Sequence, residues 1–164
     1  GAADVAVEFL SLSKTFSLAG WRVGMAAGCE AVVGGLGQIK TNIDSGIFGA
    51  IQKAASVALT GPWDFVEEAR RIYGQRARLI VDSLRKLWCP GLAYPRGTLY
   101  VWAPVPEGKE SGQFAEELLE KCDVVVVPGA GYGQGGEGYI RMSVTLDDER
   151  IEAGLARIGD YWDG

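Results

Sequence analysis

The 164-residue chain is nearly half apolar and carries a formal net charge of −5, a composition typical of a soluble globular protein. The acidic balance, without a basic stripe, argues against nucleic acid as a partner. No apolar run reaches the roughly 18 residues of a membrane span and no cationic leader opens the chain, so we expect no membrane partner. The chain holds no histidine and three cysteines without Cys-x-x-Cys spacing, so we expect no metal site and reduced thiols in the cytoplasm.

The first sixty residues alternate predicted strands and helices. Residues 3–10 are nearly continuously apolar, which is typical of a strand buried on both faces of a parallel sheet. Residues 22–28 predict a second strand, residues 30–40 a helix weakened by three glycines, and residues 47–59 a stronger helix. Two strands with their helices do not form a sheet that can cover both faces, so we expect residues 1–60 to be part of a larger domain.

Residues 61–89 predict one long helix. Gly61 and Pro62 are typical of a helix start, and a Cys-Pro-Gly sequence ends the pattern. Because no heptad pattern is sustained, we expect this helix to bridge two domains and not to form a coiled coil. Its predicted apolar face consists of Phe65, Ala69, Ile72, Tyr73, Leu79, Ile80, Leu84 and Leu87.

The remaining residues, 90–164, predict a small α/β domain. Strands are predicted at residues 97–105, 123–127 and 139–144, with a glycine-rich loop at 129–138. Ser111 is the predicted cap of one helix, and Thr145 with Asp148 resembles the capping box of the last helix. That last helix is predicted to direct four apolar side chains inward: Ile151, Leu155, Ile158 and Trp162.

A lysine just past the first predicted strand is the leading candidate for chemistry. Lys14 lies beside Ser11 and Ser13, and Arg22 follows it in the chain. A lysine amine can form a Schiff base with a carbonyl, while hydroxyls and a guanidinium are suitable donors for a phosphate dianion. This combination suits pyridoxal phosphate (PLP). The alternative from spacing alone is a lysine at a strand end with its amine in water.

Residues 11–24, SLSKTFSLAGWRVG, closely resemble the lysine segment of class I/II, fold type I, PLP-dependent aminotransferases. Residues 40–48, KTNIDSGIF, look most like the LL-diaminopimelate aminotransferase branch. The resemblance covers nearly all of the chain. It implies an α/β fold that is the C-terminal part of the PLP-dependent transferase fold: a portion of the large PLP-binding domain (1–60), a long interdomain helix (61–89) and the small α/β domain (90–164).

The resemblance implies a role for each residue around the lysine. Lys14 would hold PLP through a Schiff base and then move a proton at the substrate α-carbon. Ser11 and Arg22 match positions that bind the cofactor phosphate, and Ser13 is a further candidate, with a hydroxyl that satisfies a turn amide as its alternative. Ser45 resembles a residue that reaches the neighbouring subunit's cofactor phosphate in dimers, although a helix cap explains it equally well.

Arg141, in the predicted strand YIRMS, matches the arginine that binds the substrate α-carboxylate in these transaminases. A planar guanidinium can bind a carboxylate through two parallel hydrogen bonds. The alternative is a structural ion pair with an acidic residue such as Glu137. The glycines of residues 129–136 resemble dinucleotide spacing, but a strand follows them where that motif requires a helix, so they resemble the family's loop before the arginine strand instead.

The resemblance implies an amino acid and a 2-oxo acid as substrates, a homodimeric parent, and a part in lysine biosynthesis if LL-diaminopimelate is the donor. The family's other PLP-binding groups precede the lysine segment, so we expect residues 1–164 alone to be nearly inactive. Two alternatives remain: an aspartate-, alanine- or aromatic-specific aminotransferase, and a non-catalytic PLP-binding module of a regulator.

Overall fold

The computed structural model describes residues 1–163, which divide into two compact units. The first comprises Gly1–Glu67 and the second begins at Glu68. Each unit has its own buried apolar core and contains both helices and strands, in agreement with the predicted α/β class. The predicted domain limits of residues 60/61 and 89/90 remain a prediction.

The first unit begins with two paired strands. β1 (Val7–Ser11) runs antiparallel to β2 (Gly24–Gly28), with Ser11 opposite Gly24. A one-turn helix follows β1 directly, and two longer helices follow β2. The helices are α1 (Leu12–Thr15), α2 (Glu30–Lys40), α3 (Gly49–Thr60) and the start of α4 (Asp64–Leu87).

The prediction of a parallel strand buried on both faces at the start of the chain is wrong. Among residues 1–163, β1 pairs with the antiparallel β2 alone, and Phe9 on it is 73% exposed. An apolar run indicates that a strand could be buried, but burial depends on the elements that cover it. The core of this unit instead joins five side chains from the turns and helices: Leu12, Phe16, Val23, Ala55 and Val66.

The second unit is built on a three-stranded antiparallel sheet of order β3-β5-β4. Its strands are β3 (Tyr100–Pro104), β4 (Val127–Pro128) and β5 (Tyr139–Ser143), and its helices are the rest of α4, α5 (Ser111–Cys122) and α6 (Asp148–Asp163). One face of the sheet buries Val101, Ala103, Ile140 and Met142 against the core. Because successive side chains on a strand point to opposite faces, the residues between these four lie on the other face.

The core of the second unit agrees with the predicted inward face of the last helix and in part with that of α4. Ile151, Leu155 and Ile158 are buried, and Trp162 packs against the core. On α4, Ile80 and Leu84 are buried as predicted, together with Val81, which the pattern omitted. Phe65, on the first turn of that helix in the other unit, is 50% exposed.

Three local predictions in the second unit are wrong. The valine run 123–127 forms a strand only at Val127–Pro128, because Asp123 ends α5 in the left-handed region with φ 53°. Ser111 is the first residue of α5 and donates its hydroxyl elsewhere, while Glu110 occupies the cap position. At α6, Asp147 accepts the Arg150 N–H at 2.9 Å, so the capping side chain is neither that of Thr145 nor that of Asp148.

None of the helices in residues 1–163 combines the length and the apolar character that crossing a membrane requires. In that same part of the chain, no group of three His, Cys, Asp or Glu side chains is arranged to hold a metal ion. The three cysteines are free thiols, and burial raises the pKa of Cys89 and of Cys122, which favours their neutral form.

Candidate functional site

The turn that carries Lys14 is fixed by its neighbours at both ends. Ser11 ends β1, and its Oγ accepts the Ser13 N–H at 3.2 Å, which caps α1. Leu12 is fully buried and donates its N–H to Val23 O at 3.2 Å, which ties the turn to the segment before β2. The Lys14 side chain is exposed and forms no hydrogen bond or ion pair within residues 1–67. The turn is thus anchored while the amine has no partner in its unit.

Arg22 lies at the end of a 3₁₀ turn, Ala19–Trp21, that packs against α1. Its φ of 52° is in the left-handed region, which is uncommon for a residue with a side chain and costs free energy. One guanidinium nitrogen, Nη1, donates to Ala19 O at 2.8 Å. The other N–H groups of this exposed side chain have no partner among residues 1–67, so they can donate to an anion.

Ser13 is half-buried, and its hydroxyl forms no hydrogen bond in the described part of the first unit. The alternative offered for it, a hydroxyl that satisfies a turn amide, applies to Ser11 instead. Ser11 accepts through one lone pair, and its hydroxyl proton remains available for donation. The hydroxyls and the guanidinium are of the chemical type that binds the phosphate of PLP, and an amine is the type that binds its aldehyde.

Ser45 lies in the connection between α2 and α3. The neighbouring Asp44 accepts from Lys40 Nζ at 2.6 Å and from Gly46 N–H at 2.8 Å, and these bonds lower the pKa of its carboxyl. The cap position of α3 is Phe48, and that helix has no side-chain cap. The helix-cap alternative for Ser45 is therefore wrong, and its exposed hydroxyl forms no hydrogen bond within the described residues of its unit.

Arg141, in the second unit, lies on the sheet face opposite the core. It is paired with Trp102 across β3 and β5. Its guanidinium carbon Cζ is 4.0 Å from the centre of the Tyr100 ring and 5.0 Å from that of Tyr132. Both distances are within the range of a cation–π interaction. The guanidinium forms no hydrogen bond among residues 68–163, so its N–H groups can donate to a carboxylate.

The proposed structural ion pair between Arg141 and Glu137 is wrong. The carboxylate of Glu137 accepts hydrogen bonds from Ser111 and Gly138. These bonds lower the pKa of Glu137, with the Ser111 and Gly138 amides as the largest causes. From Glu68 to Asp163, no carboxylate forms an ion pair with Arg141.

Aromatic residues around Arg141 are the feature that the sequence analysis missed. The Trp102 ring stacks on Tyr139 with centroids 5.5 Å apart and meets Tyr132 edge-on at 5.7 Å. The alternation of Tyr100 and Trp102 along one predicted strand was a usable signal, since residues two apart share a face. Their closeness to Arg141 depends on the strand pairing, which no local pattern specifies.

The comparisons with known proteins identify the family. The pattern described as "Aminotransferase class I and II" matches residues 2–158. The chain belongs to this family. Class I and II aminotransferases depend on PLP, the cofactor expected from the Lys14 segment.

Among curated relatives of this family member, the LL-diaminopimelate aminotransferase of Dehalococcoides mccartyi strain CBDB1 is 48% identical over 161 residues. The alignment covers 98% of the chain and 41% of that protein. The aromatic aminotransferase from Pyrococcus horikoshii OT3 superposes with a TM-score of 0.89 at 30% identity, over 99% of the chain and 44% of that structure.

A probable N-succinyldiaminopimelate aminotransferase from Thermus thermophilus also superposes with a TM-score of 0.89, at 33% identity, over 98% of the chain and 43% of that structure. The fold is therefore that of an aminotransferase, and the chain spans roughly two fifths of the length of these relatives.

Proposed function

We propose that the chain is the lysine-bearing part of a PLP-dependent aminotransferase that moves an amino group between an amino acid and a 2-oxo acid. The observation that carries this proposal is the Lys14 turn. An exposed amine without a partner in its unit projects from a capped and anchored turn, inside a segment that the family pattern covers. Exposure alone fits a lysine with its amine in water equally well, so the family pattern over residues 2–158 is what favours the catalytic role.

When bound, PLP supplies the electron sink that stabilises negative charge at the substrate α-carbon. In this proposal Lys14 holds the cofactor aldehyde through its amine and, once released by the incoming amino group, moves the proton at the α-carbon. Ser11, Ser13 and Arg22 donate to the cofactor phosphate. Arg141 binds the substrate α-carboxylate through its N–H groups, which have no partner among residues 68–163.

LL-diaminopimelate is the proposed amino donor, with 2-oxoglutarate or glutamate as the partner pair, which would give the parent a role in lysine biosynthesis in the cytoplasm. The support is the 48% identity to an LL-diaminopimelate aminotransferase, against 30% to an aromatic aminotransferase. Residues 1–164 match only 41% of the first relative, so we propose that this chain alone turns over slowly or not at all. Turnover with 2-oxoglutarate at a rate typical of enzymes would contradict this.

A homodimeric parent is also proposed, with Ser45 near the partner subunit. Two large apolar side chains flank Ser45 on the surface of the first unit: Ile43 is 76% exposed and Phe48 is 74% exposed. Exposed apolar side chains grouped in this way are typical of surfaces that another protein element covers.

Reductive labelling tests the role of Lys14. The purified chain is mixed with PLP, reduced with borohydride and digested, and the pyridoxyl group is located by peptide mapping. We expect the adduct on Lys14 and its loss in Lys14→Ala, while Lys53→Ala, which removes an exposed lysine of α3, keeps it. Label spread evenly over the surface lysines would contradict the proposed site.

A further inference from the structure

One carboxylate fastens the glycine-rich loop of residues 129–138 to the start of α5. Glu137 Oε1 accepts the Ser111 N–H at 2.7 Å and the Gly138 N–H at 2.8 Å, and Oε2 accepts the Ser111 hydroxyl at 2.9 Å. We call these contacts the Glu137–Ser111 clasp. A carboxylate at a helix N-terminus is favoured because it accepts from an N–H that lacks a helical partner and complements the helix dipole.

The clasp reaches both ends of the loop. Ser111 is fully buried, and its Oγ also accepts the Ala130 N–H at 3.3 Å. Ser111 therefore contacts the loop one residue after its start and one residue before its end. A buried hydroxyl of this kind is costly unless it is fully hydrogen-bonded, so these bonds define one arrangement of the loop.

Tyr132 lies in the loop between Ala130 and Glu137, the two residues that Ser111 contacts. Its ring lies 5.0 Å from Arg141 Cζ and 5.7 Å from the Trp102 ring, although the side chain itself is 51% exposed. The segment around it is rich in glycine, which has little intrinsic preference for one backbone conformation. Two turns inside the loop, closed by Gly133 N–H to Ala130 O and Gly136 N–H to Gly133 O, connect the ring to the Ser111 and Glu137 contacts at the ends, so a change at the ends can reach the ring.

We propose that the Glu137–Ser111 clasp is a positioning element for Arg141: it fixes the loop so that Tyr132 covers the guanidinium. Glu137 and Ser111 touch no reacting atom and act through the Tyr132 ring. The consequence for carboxylate binding rests on the proposed function, but the positioning is a property of the chain itself.

The NMR chemical shift of the Arg141 Nε–Hε group, recorded on a ¹⁵N-labelled sample of the chain, reports whether the Tyr132 ring covers the guanidinium. Nearby aromatic rings change this chemical shift. Tyr132→Leu measures the contribution of the Tyr132 ring, and Tyr100→Leu measures that of the ring on β3. We expect Glu137→Ala to move the signal most of the way to its position in Tyr132→Leu while the contribution of Tyr100 stays.

Glu117→Ala is the matched control. Glu117 is also a carboxylate of lowered pKa and lies on α5, but it accepts from Lys109 and Tyr161. Its loss should lower the unfolding temperature and leave the Arg141 signal in place. This separates positioning from a general loss of stability.

An unmoved Arg141 signal in a folded Glu137→Ala protein would overturn the proposal. If Glu137→Ala does not fold, Ser111→Ala is the deciding variant, since it removes the Ser111 hydroxyl and keeps the amide. We expect the Arg141 signal in Ser111→Ala to move part of the way toward its position in Tyr132→Leu. An unmoved signal in that variant would overturn the proposal. Neither PLP nor substrate is added, so failure of the Lys14 labelling would not affect this result.

Discussion

The Arg141 guanidinium lies over the Tyr100 ring at 4.0 Å, and the two residues come from neighbouring antiparallel strands. The opposite face of these strands forms the core of the second unit, with Val101 and Ile140 almost completely buried. The core therefore fixes the strand pairing, and the pairing brings the cation onto the ring. Since no group among residues 68–163 accepts from this guanidinium, its N–H groups can donate to a carboxylate.

Replacement of Tyr100 should weaken carboxylate binding at Arg141. A cation–π contact contributes about 0.5–2 kcal/mol, and it is already present in the free chain, so only part of it is lost from binding. We therefore expect Tyr100→Leu to weaken binding of 2-oxoglutarate by less than roughly 30-fold. Tyr100→Phe keeps the ring and should bind nearly as the unaltered chain does. The affinity is measured by adding 2-oxoglutarate to the ¹⁵N-labelled chain and following the NMR signal of the Arg141 Nε–Hε group. Equal weakening in both variants would assign the effect to the hydroxyl.

Acid should weaken the second unit through Glu137. Its pKa is lowered in the folded chain because the Ser111 and Gly138 amides, and then the Ser111 hydroxyl, bind the charged form. The unfolded chain therefore takes up the proton first, near the ordinary glutamate pKa of about 4.3. The stabilisation is fully present above that pH and is lost as the pH falls through the lower folded value.

The measurement for Glu137 is the free energy of unfolding between about pH 6 and pH 2.5, a range that brackets the ordinary glutamate pKa. Glu137→Gln should give a shallower decline than the unaltered chain below about pH 4.3. Some decline remains, because the pKa of Glu117 is lowered as well. Parallel curves for the two proteins would contradict the role of Glu137.

Most helices were predictable from the sequence because their signals are local. The bounds of α2 agree at both ends, and those of α4 agree within a few residues, since repeated apolar spacing and a Cys-Pro-Gly stop are present in the chain itself. The burial of β1 was not predictable. Its apolar residues specify a strand that can be covered, but which element covers it depends on distant parts of a fold.

The residues of the candidate site also divide into those that a local motif predicts and those whose contacts depend on distant parts of the chain. Lys14 and Arg141 were recognisable from short motifs, and their assigned roles remain predictions. The partner of Glu137 was predicted wrongly, because opposite charge suggested an arginine. The carboxylate instead binds the amide of the adjacent Gly138 and the amide and buried hydroxyl of the distant Ser111. Sequence patterns report charge and periodicity, but they do not report which backbone amides a loop leaves unsatisfied.

The close approach of Gly129 and Gly136 makes both positions sensitive to substitution. A Cβ on Gly129 would lie 2.0 Å from Gly136 O, and a Cβ on Gly136 would lie 2.1 Å from Gly129 O. Because both obstacles are backbone atoms, Gly129→Ala or Gly136→Ala should lower the free energy of unfolding by about 1–3 kcal/mol or more.

Gly135→Ala is the control for this pair, since a Cβ there has open space. It should change the free energy of unfolding by less than about 1 kcal/mol. Chemical denaturation followed by circular dichroism compares the three variants. A loss in Gly135→Ala as large as in the other two would show that the loop tolerates no side chain at all, and the specific contact would not be the cause.

Thr98, just before β3, has a strained backbone. Its φ is 77°, in the left-handed region that β-branched residues strongly avoid, and its side chain is exposed. Removing the side chain relieves about 1–2 kcal/mol of steric cost but gives the unfolded chain more freedom. We therefore expect Thr98→Gly to raise the free energy of unfolding by about 0.5–1 kcal/mol.

Gly108 tests the same backbone strain in the opposite direction, by adding a side chain at a positive φ. Its φ is 80°, and a Cβ there would meet nothing within 4 Å, so only the backbone conformation opposes a side chain. Gly108→Ala should lower the free energy of unfolding by about 1 kcal/mol, measured by denaturation beside Thr98→Gly. Changes of opposite sign are required if backbone strain is the cause. A loss in both variants would mean that the Thr98 side chain stabilises the approach to β3 by more than its strain costs.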